Sequence, residues 1–191
     1  CGHGIALKEL GFAIDELAID KKTVIGIDIG CSLLAWDYFD VDTVQTHHGR
    51  TVPVMSGFKL IQKDKIGIAY LGDGGAYAIG LQALITAAQR NDPITVIVIN
   101  NTLYGMTGGQ MAPTTYCGEK TSTTPAGKRC FEKGQPMLGP ELIKSLKNQN
   151  SYVARTTVSE PTQIRQILKQ AINHQIHKKS CETIFFPSKK Q

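Results

Sequence analysis

Three apolar runs, "TVIGIDIG" (23–30), "KIGIAYLG" (65–72) and "PITVIVIN" (93–100), limit what this chain can fold into more than any other feature. Each is short, rich in Val and Ile, and stopped by glycine or by paired asparagines. Unbroken apolarity at strand length is what a strand shows when both its faces are covered, as in a parallel sheet. Helical spacing fills the intervals. Residues 4–19 carry Ile5, Leu7, Leu10, Ile14, Leu17 and Ala18 on one stripe, 51–62 read as a helix starting near Pro53, and 76–91 carry Leu81, Leu84, Ile85 and Ala88. Further along come a helix (140–149), a strand (152–158), a helix from Pro161 to about 176 and a strand (181–186). This alternation predicts an α/β fold, a three-layer, doubly wound, mostly parallel sheet with helices on both faces. The 191 residues are enough for one such domain, so 1–191 are expected to form a single domain. A long stretch at about 101–139, rich in Gly, Thr and Pro, far exceeds an ordinary connection of about 4–6 residues and is expected to be functional.

Composition removes several classes of function. At 41% hydrophobic, 19% charged and a mean hydropathy of -0.13, the chain has the balance of a soluble globular protein. Much of its net charge of +5 sits near the end, at Lys178, Lys179, Lys189 and Lys190, and aromatics make up only 7%. Without basic–aromatic interleaving, nucleic acid is not an expected partner. No apolar run approaches the roughly 20 residues of a membrane span, so no membrane is expected either. The five cysteines (Cys1, Cys31, Cys117, Cys130, Cys181) are odd in number and scattered, with no C-x-x-C pair. That pattern predicts a reducing, cytoplasmic setting, with Cys117 and Cys130 as ordinary thiols. The chain begins with Cys rather than Met and is expected to start inside a longer gene product.

In open parallel sheets, ligands bind outside the carboxyl ends of the strands. Here those ends are Gly30-Cys31-Ser32, Gly72-Asp73-Gly74-Gly75 and Asn100-Asn101. The glycines allow close approach of backbone, and the helix that follows directs N–H groups at an anion. A carboxylate there would repel a diphosphate unless a cation lay between them, and Mg²⁺ binds through one or two protein oxygens plus phosphates. Taken alone, Asp73 serves equally well as a helix cap. The pair is more specific: "GDG", 25 intervening residues and then "NN" match the thiamine diphosphate-binding motif. The interval is one helix plus one strand, which returns Asn101 beside Asp73. A dinucleotide site fits worse, because no G-x-G-x-x-G occupies this turn.

Around this motif the chain resembles the β subunits of 2-oxoacid:ferredoxin oxidoreductases. The stretches that carry the resemblance are "CGHGIALKEL" (1–10), "IGCSLL" (29–34), "THHGRTVPVMSGFKL" (46–60), "GDGGAYAIG" (72–80) and "NNTLYGMTGGQMAPTT" (100–115). "KTSTTPAGKR" (120–129) is similar to the branch typified by 2-oxoisovalerate and 2-oxoglutarate enzymes. The resemblance implies a thiamine diphosphate-binding fold in which Asp73, Asn101 and the Leu103 carbonyl ligate Mg²⁺. It implies that Gly72, Gly74 and Gly75 line the diphosphate, and that Tyr104, Gly105, Met106 and Thr107 continue round it to the thiazolium. Gly30, Cys31, Ser32, His48 and Gly49 would lie on the other side, with His48 and Thr107 nearest the chemistry. The implied activity is oxidative decarboxylation of a 2-oxoacid to acyl-CoA with reduction of ferredoxin, the cofactor supplying the electron sink. Implied partners are the α subunit (and γ or δ), ferredoxin, the 2-oxoacid and coenzyme A. Other readings are a subunit of a different thiamine-dependent decarboxylase or synthase, or a scaffold that keeps the fold without activity. Outside its "HGR" context His48 reads more readily as a surface or core histidine, and loop packing would account for Thr107 and Met106.

Two departures from the family pattern bear on the reading. Cys1 and Cys31 match two of the four thiolates that hold a [4Fe–4S] cluster in relatives, while the position after the last strand holds Pro187-Ser188, and Cys181 comes several residues early. The glutamate that activates the cofactor comes from a different subunit in this family, and none is evident here. The isolated chain is therefore expected to bind thiamine diphosphate weakly and to turn over nothing.

Overall fold

The structure is a computed structural model that describes residues 1–146, 151–178 and 182–187. Its centre is a six-stranded sheet of β1 (Thr23–Ile27), β2 (Asp42–Gln45), β3 (Ile66–Gly72), β4 (Thr95–Asn100), β7 (Tyr152–Arg155) and β8 (Glu182–Pro187). The strand order is β2-β1-β3-β4-β8-β7, and every pairing is parallel. The chain winds outward in both directions from the β1–β3 neighbourhood, so the strand order reverses there.

Pleating explains why these strands needed apolar residues at successive positions. Ile25, Ile27, Ile68, Tyr70, Ile97 and Ile99 pack on one face against α1 (His3–Leu17) and α6 (Pro161–Lys178). Val24, Ala69, Leu71, Val96 and Val98 pack on the other against α2 (Thr51–Ile61), α3 (Leu81–Arg90) and Ile143 of α5 (Gly139–Ser145). The buried residues of α6, Ile164, Leu168, Ala171 and Ile172, follow the helical period. Arg165 of α6 bonds Glu9 of α1 at 2.8 Å, which partners a carboxylate only 3% exposed.

Several boundaries differ from the sequence reading, each for a local reason. The first strand ends at Ile27 rather than Gly30, whose φ of +106° leaves the extended region. The second helix starts at Thr51, with Pro53 inside its first turn, where a missing N–H costs no helical bond. The expected helix over 76–91 is divided: Gly75–Ile79 form a π-turn closed by the Gly80 N–H on the Gly75 carbonyl at 2.9 Å, and α3 follows. The strand expected over 152–158 stops at Arg155. β2 was not expected, since its four residues are all exposed at the sheet edge. The stretch at 101–139 holds a small antiparallel hairpin, β5 (Leu103–Tyr104) with β6 (Gln110–Met111), and a helical turn α4 (Cys130–Lys133). Cys117 and Cys130 are not free thiols but a disulfide, with Cα atoms 5.4 Å apart. Two backbone bonds, Gly118 N–H to Lys128 carbonyl and Lys128 N–H to Glu119 carbonyl, fold the loop back so that the cysteines meet.

Candidate functional site

A cavity of about 310 Å³ opens at the carboxyl ends of β1, β3 and β4, where the strand order reverses. The segment after β1 contributes Gly30, Cys31 and Ser32, and the turn before α2 contributes His48. The end of β3 contributes Gly72, Asp73, Gly74 and Gly75. Asn101, Leu103, Tyr104, Gly105, Met106 and Thr107 close the remaining side from beyond β4. Gly49 is the one residue expected in the cofactor site that does not line it. Its role is structural: a Cβ there would lie 2.5 Å from the Gly80 backbone nitrogen.

Asp73 is the electrostatic centre of the cavity. It is 2% exposed, and burial raises its carboxyl pKa to about 6, opposed by hydrogen bonds from the Thr114 hydroxyl and the Gly74 N–H. Thr114 Oγ1 donates to Asp73 Oδ2. The other oxygen, Oδ1, meets Asn101. One terminal atom of the Asn101 carboxamide lies 3.2 Å from Asp73 Oδ1 and 2.7 Å from the Leu103 carbonyl oxygen. As a nitrogen that atom donates to both; as the amide oxygen it meets these two acceptors, with the Leu103 N–H 3.4 Å away, and a cation among the oxygens resolves the repulsion. The spacings bracket the ~3.0 Å edge of an octahedron with metal–oxygen bonds of ~2.1 Å. The donor set therefore fits Mg²⁺: one carboxylate, one amide and one carbonyl.

The glycines divide into two kinds. A Cβ on Gly72 or Gly30 would meet nothing within 4 Å, so their bareness leaves room at the cavity wall. Gly74 and Gly75 are small for the protein's own sake. A Cβ on the former would come 2.2 Å from the Tyr104 ring, and one on the latter 1.9 Å from Asp28 Oδ2.

His48 is exposed at the rim. Thr107, also exposed, donates its hydroxyl to Gln110 Oε1 at 2.5 Å, and Gln110 returns a bond to the Thr107 carbonyl at 2.7 Å. Cys1 and Cys31 are free thiols lining a neighbouring groove of about 930 Å³ between α1 and residues 31–41. Among the described residues, no group of three or more His, Cys, Asp or Glu could hold a metal ion, so these residues do not by themselves supply the four ligands of a [4Fe–4S] cluster. Cys181 lies outside the described residues.

Sequence reasoning missed His3, Asp28 and Thr114. His3 lines the cavity at 7% exposure, bonds the Tyr70 hydroxyl through Nδ1 at 2.7 Å, and has its pKa pushed down to about 4 by burial. Asp28 is fully buried at the end of β1. Its Oδ1 accepts the Gly49 N–H at 2.7 Å and the Thr51 hydroxyl at 3.2 Å, which fixes the turn carrying His48, while Oδ2 has no partner. Burial raises its pKa. Its place at a strand end, parallel to that of Asp73, was a signal available in the sequence. Thr114 had none.

Comparison with known proteins agrees with this geometry. The family described as "Thiamine pyrophosphate enzyme, C-terminal TPP binding domain" matches residues 28–178. Ketoisovalerate oxidoreductase subunit VorA of Methanothermobacter thermautotrophicus is 42% identical over 166 residues, 87% of this chain and 35% of that protein. 2-Oxoglutarate synthase subunit KorB of Archaeoglobus fulgidus is 39% identical over 176 residues, 91% of this chain and 63% of that protein. The chain thus spans less than two thirds of these relatives. A solved 2-oxoglutarate:ferredoxin oxidoreductase from Magnetococcus marinus, with 2-oxoglutarate, coenzyme A and succinyl-CoA bound, superposes with a TM-score of 0.88 at 27% identity, over 97% of this chain and 61% of that one. A thiamine diphosphate-dependent 4-hydroxybenzoylformate decarboxylase from Rhodococcus jostii RHA1 shares the fold at a TM-score of 0.62 and 18% identity, over 97% of this chain and 33% of that one.

Proposed function

The chain belongs to the thiamine pyrophosphate enzymes, whose C-terminal TPP-binding domain it carries, and we propose that it is the thiamine diphosphate- and Mg²⁺-binding subunit of a 2-oxoacid:ferredoxin oxidoreductase. In this reading it works in the cytoplasm with α and γ or δ subunits, converting a 2-oxoacid and coenzyme A to acyl-CoA and CO₂ while ferredoxin is reduced. The observation that carries the proposal is the meeting of Asp73 Oδ1, the Asn101 carboxamide and the Leu103 carbonyl beside the space left by Gly72. The relatives' names and the 2-oxoglutarate, coenzyme A and succinyl-CoA in the Magnetococcus enzyme support the substrate class.

Asp73, Asn101 and Leu103 would hold the metal, and the bare backbone at Gly72 would admit the diphosphate. Bound there, thiamine diphosphate supplies the electron sink for decarboxylation. The residues of this chain position and shield. Asp28 holds the Gly49 turn and so fixes the base of His48, which stands at the rim where it can hold or move a proton at a substrate oxygen. The Thr107–Gln110 pair stiffens the opposite lip. Among the described residues no glutamate lines the cavity, and in this reading a partner subunit supplies the cofactor-activating carboxylate.

Calorimetry of the assembled enzyme with thiamine diphosphate and Mg²⁺ tests this. Asp73→Ala removes the charged member of the proposed ligand set and should weaken binding at least about 100-fold, the upper end of what even outer-shell losses cost. Equal binding by the variant would overturn the assignment. Reduction of a viologen dye by this chain alone, dependent on a 2-oxoacid, would overturn the claim that the site is shared.

A further inference from the structure

We propose that Thr114 is a positioning residue of the metal site, holding the Asp73 carboxylate so that it offers one oxygen to the cation; this rests on the reading of Asp73, Asn101 and Leu103 as Mg²⁺ ligands. A carboxylate has two equivalent oxygens and rotates about its bond to the backbone side. Here they are made inequivalent. Oδ2 accepts the Thr114 hydroxyl, while Oδ1 faces the Asn101 amide, which itself reaches the Leu103 carbonyl. Mg²⁺ demands near-ideal octahedral geometry with short bonds, which a single oxygen satisfies and a chelating carboxylate strains. The hydroxyl therefore selects the binding mode, and it also compensates an oxygen on a side chain only 2% exposed.

Thr114 can do this because its own position is fixed. It is 2% exposed and stands in a turn held on both sides. The Ala112 N–H donates to Thr115 Oγ1 at 2.9 Å, and the Met137 N–H donates to the Pro113 carbonyl at 2.9 Å. The buried Lys128 ammonium donates to the Thr115 carbonyl at 2.8 Å. Thr115 Oγ1 in turn donates to the Thr102 carbonyl, between Asn101 and Leu103, so the same turn braces the strand end that supplies the other two ligands. The long loop thus supplies an outer shell to a metal site whose ligands lie just past the ends of β3 and β4. Outer partners of this kind are worth about 10–100-fold in metal affinity.

The test is a Mg²⁺ titration of the assembled enzyme at fixed thiamine diphosphate, read by calorimetry, for the wild type, Thr114→Val, Thr114→Ser and Thr121→Val. Thr114→Val keeps the volume and removes the donor. It should raise the Mg²⁺ half-saturation about 10-fold, with thiamine diphosphate affinity at saturating Mg²⁺ within about twofold of wild type. Thr114→Ser restores the donor and should return the half-saturation to near the wild-type value. Thr121→Val removes a buried loop hydroxyl that bonds Thr124 rather than Asp73. It should lower the unfolding temperature without moving the half-saturation. An unchanged half-saturation in Thr114→Val, or an equal rise in Thr114→Ser or Thr121→Val, overturns the positioning role while leaving the ligand assignment standing. A wild type that binds thiamine diphosphate without regard to Mg²⁺ overturns both.

Discussion

Gly49 and Gly80 meet backbone to backbone, with the Gly80 Cα only 2.8 Å from where a Gly49 Cβ would stand. Gly49 also holds φ +64°, in the left-handed region. Gly49→Ala therefore combines a conformational cost of about 1–2 kcal/mol with overpacking of about 1–3 kcal/mol, and should lower the denaturant-derived stability by at least about 2 kcal/mol. Gly57 is the useful contrast. It lies exposed within α2 with nothing near its missing Cβ, so Gly57→Ala should raise stability by about 0.5–1 kcal/mol in the same measurement. Asp73 and Asn101 were recoverable from the sequence because one helix and one strand separate them at a fixed offset. Thr114 was not. It reaches Asp73 across 41 residues through a loop with no periodicity, and only the folded turn brings the hydroxyl to the carboxylate.

β1, β3 and β4 were legible because burial on both faces writes itself into consecutive side chains, and α1, α3 and α6 because their stripes repeat. β2 was not, since an exposed edge strand of Asp, Thr, Val and Gln pairs through backbone alone. The π-turn at Gly75–Ile79 also left no trace; Gly80, which closes it, meets the backbone of Gly49, a tertiary contact that helical spacing does not encode. The loop carrying Cys117 and Cys130 is an element of its own kind, closed by a bond that a spacing of 13 residues does not announce. Reducing it frees the unfolded chain, and the loop-closure estimate puts the loss at about 2–3 kcal/mol. Unfolding with and without a dithiol should show that difference, and Cys117→Ser with Cys130→Ser should remove it. A reducing cytoplasm would keep such a pair open unless the fold protects it, so a thiol count on protein taken directly from cells would show which state works.

His3 and Asp73 give the whole chain two pH responses of opposite sign. The folded Asp73 pKa of about 6 lies above its ordinary 3.8, so its contribution is complete below 3.8 and lost as the pH rises through about 6. The folded His3 pKa of about 4 lies below its ordinary 6.5, so its contribution is complete above 6.5 and lost as the pH falls toward about 4. Between pH 4 and 6.5 these two contributions to the stability of metal-free protein oppose one another. Asp73→Asn should make that stability rise with pH over that window, and His3→Gln should make it fall; thermal unfolding in a chelator checks both. The parallel sheet has one more consequence. With every strand running the same way, the connections at 18–22, 62–65 and 91–94 all enter the sheet from the edge remote from the cavity. An affinity handle or dye grafted into 62–65 would tether the chain by its back, leaving the mouth facing outward to receive whatever subunits are supplied.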